Sequence, residues 1–265
     1  MKDLLLGQII EGYNNFLAIA VIAVAILAVI FGIWGTIMQW SVFFRYQKNN
    51  RRKIEGKTAK QVAEEMLAKL GYNDIRVEKT SYLWLWFFYK WGNRYSPRRK
   101  TIFLYKNILN KSTVTAIAIA TQKVGLVIQH KQGDKKMAFR ARWEVWTRLA
   151  PNMFVPIITF GALVDFFLSG GDMGKFGIIT LIFVGIAILY TVVAFYALYS
   201  VIPTERKAGE LAFAEIQKGL VPAEYHEAIR ALYDAQVKVY IADFVLAILN
   251  LILDILYIAS KFSKR

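Results

Sequence analysis

The chain has no cysteine among its 265 residues and only two histidines, His130 and His226. The first absence removes any disulfide framework and any thiolate metal ligand or nucleophile. The second is nearly as restrictive. The two histidines lie far apart in sequence, and neither has a second histidine four residues away, the spacing by which one helical face grips a zinc ion. Acidic residues are also scarce, 19 against 34 Lys and Arg. Metal chemistry is poorly provided for throughout.

Apolar residues, in contrast, are abundant. A 56% hydrophobic content in several long runs marks a polytopic membrane protein, because runs of this length exceed what the buried helices of a soluble domain need. The first run covers Asn15 to Trp40, and the cluster Arg45, Lys48, Arg51, Arg52 and Lys53 follows it at once. That asymmetry predicts an N-terminus outside and a cytoplasmic segment after the span. Only Lys2 precedes the run as a basic residue, and its apolar core is too long for a signal peptide, so residues 1–44 are expected to form a permanent transmembrane anchor.

Residues 45–150 form a basic module. Arg45 to Arg148 holds 24 of the 34 Lys and Arg but 7 of the 19 Asp and Glu. Beside a membrane this excess favours retention in the cytoplasm and attraction to anionic headgroups, at roughly 1 kcal/mol per well-placed basic residue. A bilayer with anionic headgroups is therefore the expected partner. An acidic protein partner would draw on the same charge, and RNA binding would want an ordered platform of aromatic and basic residues, so no nucleic acid is expected.

Within the module, Thr58 and Gln61 have capping-box spacing, followed by Val62, Met66, Leu67 and Leu70 at helical intervals and by Gly71 as a stop. Strands are predicted over Asp74–Lys79 and Lys100–Tyr105. Between them lies SYLWLWFFYKW, residues 81–91. So aromatic a block suits the headgroup region of a bilayer, a buried hairpin or a partner-binding patch.

Residues 151–202 predict a transmembrane hairpin, with apolar runs over Phe154–Leu168 and Phe176–Val201, the second stopping at Pro203. Residues 203–236 predict a cytoplasmic helical segment broken by Gly219 and Pro222. Residues 237–265 predict a C-terminal helix, transmembrane or interfacial. Its Asp243, Asn250 and Asp254 share one face, which suits packing inside a bundle better than transport. The basic tail, Lys261, Lys264 and Arg265, argues mildly for the interfacial arrangement. The expected fold class is thus mainly α, with about four hydrophobic helices and a small α+β module.

Several stretches, in order, resemble the membrane zinc metallopeptidases of the YugP type, over most of the chain from about Thr58 onward. GKTAKQVAEEMLAKLGYNDIRV is similar to the family's leading helix and strand, and RYSPRRKTIFL to its Tyr-Asp-Pro segment, with Ser96 for Asp. TVTAIAIATQKVGLVIQ resembles the Ala-rich helix that carries His-Glu-x-Gly-His and a following Gln, here Gln129. PTERKAGELAFAEIQKGLV resembles the segment supplying the third zinc ligand, which falls on Glu205. The resemblance implies a zincin-like module over 45–150, with its active-site helix at 113–130, in a bacterial plasma membrane.

The departures fall on the reaction centre. Where the family has its two zinc-binding histidines this chain has Gln122 and Leu126, where it has the general base stands Lys123, and the polar residue two after the glutamate is Lys207. A neutral amide, an ammonium and a hydrocarbon cannot hold zinc or activate its water. The resemblance therefore implies a degenerate member with no catalytic residues, no metal and no cofactor, acting as a scaffold or accessory subunit beside a protein partner in a membrane complex. The alternative is a membrane peptidase with a non-standard or metal-free site, drawing on Glu205 and His130 or on a dyad the sequence does not mark. A Glu205 without zinc needs a counter-charge if buried. Lys123 is the expected one, with Gln122 as a hydrogen-bond donor and Arg206 or Lys207 as substitutes.

Overall fold

The computed structural model of the chain describes residues 2–80, 93–149, 154–170 and 177–262. The protein is mainly helical. In chain order its elements are α1 (Lys2–Asn50), α2 (Ala59–Lys69), β1 (Arg76–Lys79), β2 (Arg94–Ser96), β3 (Thr101–Leu104), α3 (Lys106–Leu109) and α4 (Val114–Lys131). There follow α5 (Lys135–Leu149), α6 (Phe154–Leu168), α7 (Ile178–Glu215) and α8 (His226–Phe262). The aromatic block at 81–91 lies outside the described residues.

Three helical stretches are long and apolar enough to cross a membrane: Ala18–Met38, Ile178–Leu220 and Ala223–Leu256. The fourth expected run, α6, has 15 residues. At 1.5 Å per residue it reaches about 22 Å, short of the ~30 Å hydrocarbon core. Such a protein belongs in a membrane.

The chain divides into two compact units. One comprises residues 1–36, 145–198 and 242–265. Its surface carries large apolar side chains: Ile22, Val29, Ile33, Phe160, Leu181 and Val192 are each more than half exposed, as lipid-facing residues should be. Inside it, close approaches replace charges. A Cβ on Gly161 would meet the Cβ of Phe183 at 2.6 Å, and one on Gly35 would meet Leu246 at 3.1 Å. Its main polar tie is Asp165 on α6, whose carboxylate accepts from the Thr180 backbone N–H at 2.6 Å and from the Thr180 hydroxyl, so that one helix satisfies the first turn of the next.

The other unit comprises residues 37–144 and 199–241. The capping box forms as the sequence predicts. The Thr58 hydroxyl accepts from Gln61 N, the Gln61 side chain accepts from Thr58 N, and Gly71 takes the left-handed φ of +74° that ends the turn. The strands are shorter than expected, and β3 lies between the other two, parallel to β1 with Val77 opposite Ile102 and antiparallel to β2 with Tyr95 opposite Ile102. β2 was not foreseeable: three residues carry no readable alternation, and pairing with β3 is what fixes them. Over this sheet lies α4, started by Thr113, whose hydroxyl accepts from Ala116 N. Every residue from Val114 to Gln129 is buried. Its neighbours in the core include Met66 of α2, Ile102 and Leu104 of β3, Ala208 and Ala212 of α7, and Ile229 and Leu232 of α8.

Pro203 does not stop α7, contrary to expectation; the helix runs through it to Glu215. Proline keeps a helical φ and removes one backbone hydrogen bond. The Thr204 hydroxyl donates back to the Ser200 carbonyl at 2.8 Å, and Ala208 and Ala212 bury the next two turns. The break comes later, as expected, at Gly219 (φ +92°), just before Pro222.

Candidate functional site

α4 and α7 touch backbone to backbone. A Cβ on Gly125 would stand 2.0 Å from the Ala208 carbonyl oxygen. Only a residue without a side chain permits this approach, and it brings the polar positions of both helices together two residues to the N-terminal side of each contact point.

Glu205, fully buried on α7, faces Lys123, 2% exposed on α4. The Lys123 ammonium donates to Oε2 at 3.2 Å and to Oε1 at 3.3 Å. A second cation completes the cluster: Arg140 of α5 donates from Nη2 to Glu205 Oε1 at 2.6 Å and from Nη1 to the Thr204 hydroxyl at 2.8 Å. The expected Lys123–Glu205 pair is present, and Arg140 is an addition the sequence did not disclose. A signal existed, since Arg140 lies three residues after the buried Met137 on the inward side of α5. Its partner is 65 residues away, so only the tertiary fold joins them.

The other expected contributors are placed elsewhere. Arg206 is exposed. Lys207 donates to Asp134 at 2.6 Å instead of to Glu205, and that ammonium, with the helix amides of Met137 and Lys136, holds the Asp134 carboxyl below its usual range. Gln122 is fully buried, yet neither its amide nitrogen nor its oxygen has a hydrogen-bond partner, so it is not the donor expected for Glu205. Leu126 is buried in the core. Gln129, also fully buried, donates to the Thr204 carbonyl at 2.7 Å. His130 shares a 3.1 Å hydrogen bond with Tyr95 OH, and burial lowers its pKa; His226 donates from Nε2 to the Val221 carbonyl. Neither histidine is paired with Glu205.

A zinc ion asks for lone pairs directed at one point. Here the position of one ligand is an amide, another is a hydrocarbon, and the base is an ammonium already bound to the carboxylate. The carboxylate itself is committed to two cations. Among the described residues no three His, Cys, Asp or Glu side chains gather in a metal-binding group. On this donor chemistry the residues present do not fit zinc. What they do provide is a tie between α4, α5 and α7, with one carboxylate accepting from both neighbours.

No curated protein and no solved structure matches the chain. A family model described as "Putative neutral zinc metallopeptidase" matches residues 21–259. With that match extending from the first apolar helix into the last, and with the Gln122–Leu126 helix inside it, the chain belongs to this zinc metallopeptidase family, of the YugP type.

Proposed function

We propose that the protein is a pseudopeptidase: a membrane-anchored member of its family that has exchanged catalysis for a structural or accessory role in a membrane protein complex. The observation that carries this reading is the buried Lys123–Glu205–Arg140 cluster. It puts cationic groups where the reaction would need a metal and its base, and it keeps the helices fastened without either. The unit formed by 37–144 and 199–241 is then a zincin-like module with its reaction centre rewritten.

Topology follows from the same reading. Because 37–144 and 199–241 belong to one unit, the chain between them leaves and returns on a single face, which suits α6 and α7 acting as a hairpin. The basic excess of residues 45–148 assigns that face to the cytoplasm of a bacterial plasma membrane, next to anionic lipid. A protein partner would meet the module or the apolar faces of the spans, and nucleic acid has no part.

The test is elemental analysis of the full chain purified from membranes without chelator, together with peptidase assays on unfolded protein substrates. We expect no stoichiometric zinc and no cleavage. About one zinc per chain would return it to the catalytic members of the family, and metal-free cleavage abolished by a chain variant would establish a non-standard active site instead. Crosslinking in native membranes, followed by purification, then identifies what the scaffold holds.

A further inference from the structure

A cavity of about 330 Å³ opens beside the cluster, lined by Gln129 of α4, Lys135 and Lys136 at the start of α5, and Pro203, Thr204 and Lys207 of α7. Asp134 also lines it, but its carboxylate is already engaged: Oδ1 accepts from the Lys136 and Met137 N–H groups at 2.9 and 3.0 Å, and Oδ2 from Lys207. The Lys135 and Lys136 side chains, both exposed, then give the cavity its positive character.

Gln129 supplies the second observation. It is fully buried, its amide nitrogen is used on the Thr204 carbonyl, and its Oε1 has no hydrogen-bond partner. A buried acceptor without a donor is uncommon in a native fold and calls for one from outside. An inorganic anion supplies none. The missing ligand has to combine negative charge with a hydroxyl.

Position narrows its source. The apolar run of α7 ends at Ile202, and Pro203 and Thr204 begin the polar segment, so the cavity wall starts where hydrocarbon gives way to headgroups. α5 has the composition of an interfacial helix, with Lys135, Lys136, Arg140 and Arg142 interleaved with Phe139 and Trp143, whose rings lie 6.1 Å apart.

We propose that this cavity binds the headgroup of a hydroxyl-bearing anionic phospholipid, its phosphodiester held by Lys135 and Lys136 and its hydroxyl donating to Gln129 Oε1. The site depends on the protein lying in a membrane and not on the loss of zinc, so a zinc-binding result leaves it standing.

The full chain in phosphatidylcholine nanodiscs, exchanged against lipid vesicles, tests it by the lipids retained in native mass spectrometry. Phosphatidylglycerol should be retained over phosphatidylmethanol, which has the same charge and no hydroxyl. The Lys135→Gln/Lys136→Gln double variant changes only exposed side chains and should lower phosphatidylglycerol retention on the order of tenfold or more, given roughly 1 kcal/mol per lysine. Equal retention of the two lipids overturns the hydroxyl contact, and equal retention by wild type and double variant overturns the site. Displacement of the lipid by an equal concentration of glycerol 1-phosphate would assign the cavity to a soluble polyol phosphate and overturn the lipid reading.

Discussion

α4 is tied to its neighbours twice, and the two ties differ in kind. Around Lys123 the link to α7 and α5 is ionic: an ammonium and a guanidinium share the Glu205 carboxylate. Half a turn earlier, the link to α8 is neutral, a 2.7 Å hydrogen bond between the Thr121 hydroxyl and Tyr233 OH, both buried. The neutral tie is forgiving because each oxygen can donate or accept, and Thr121 also donates to the Ile117 carbonyl. Ionic ties are not. Once charges are out of water each depends on its partner, so the ionic end of α4 is strong only while complete.

Breaking the ionic tie should therefore have the largest effect. Glu205→Gln leaves Lys123 and Arg140 without their counter-charge and should destabilise the unit by about 3–5 kcal/mol, measured by denaturant unfolding in detergent. The sharper form removes every charge. Lys123→Met/Glu205→Leu/Arg140→Met should recover most of that loss, and a triple variant as unstable as Glu205→Gln would show that the charges do more than neutralise one another.

Gly125→Ala comes next. Its Cβ would collide with the Ala208 carbonyl at 2.0 Å, and because the obstacle is backbone the helices must separate, at a loss of about 3 kcal/mol and with a weakened Lys123–Glu205 contact. Tyr233→Phe should lose about 1 kcal/mol, since Thr121 keeps its bond to Ile117. If Tyr233→Phe proved as damaging as Glu205→Gln, the contrast between the ties would fail. Gln122→Met should go the other way and stabilise by about 1 kcal/mol, because it removes a buried amide with no partner at similar volume.

The smallest effect is pH-dependent. Burial lowers the pKa of His130, so the native state favours the neutral ring and the unfolded chain takes up the proton first. Its contribution is complete above the unfolded pKa near 6.5 and is lost as pH falls toward the lowered native value. Between pH 7.5 and 5.5 the melting temperature of the wild type should fall more than that of His130→Gln, and parallel profiles would remove His130 from the account.

Legibility in the sequence followed the range of the interactions. The Thr58 cap, the Gly71 stop and the break near Gly219 were readable because neighbours in sequence create them. The Lys123–Glu205 pair was readable only through family resemblance, which aligned two helices 82 residues apart. Arg140 escaped because nothing local distinguishes an inward arginine from the solvated ones beside it. Gln122 misled in the opposite direction: an amide next to a carboxylate's partner looks like a donor until packing turns it away. Pro203 misled because its helix-breaking tendency was weighed without the threonine that follows and the alanine turns that hold α7 in place.

The arithmetic of the Glu205 cluster has one more result. Two cations around one carboxylate leave a net charge of +1 where a metal site would present negative groups. A divalent ion approaching to ~4 Å, with an effective dielectric of about 20, would be repelled by about 8 kcal/mol instead of attracted. The pocket has reversed its polarity, so restoring one histidine would not restore a metal site; the sign of the potential would have to be turned first, beginning at Lys123.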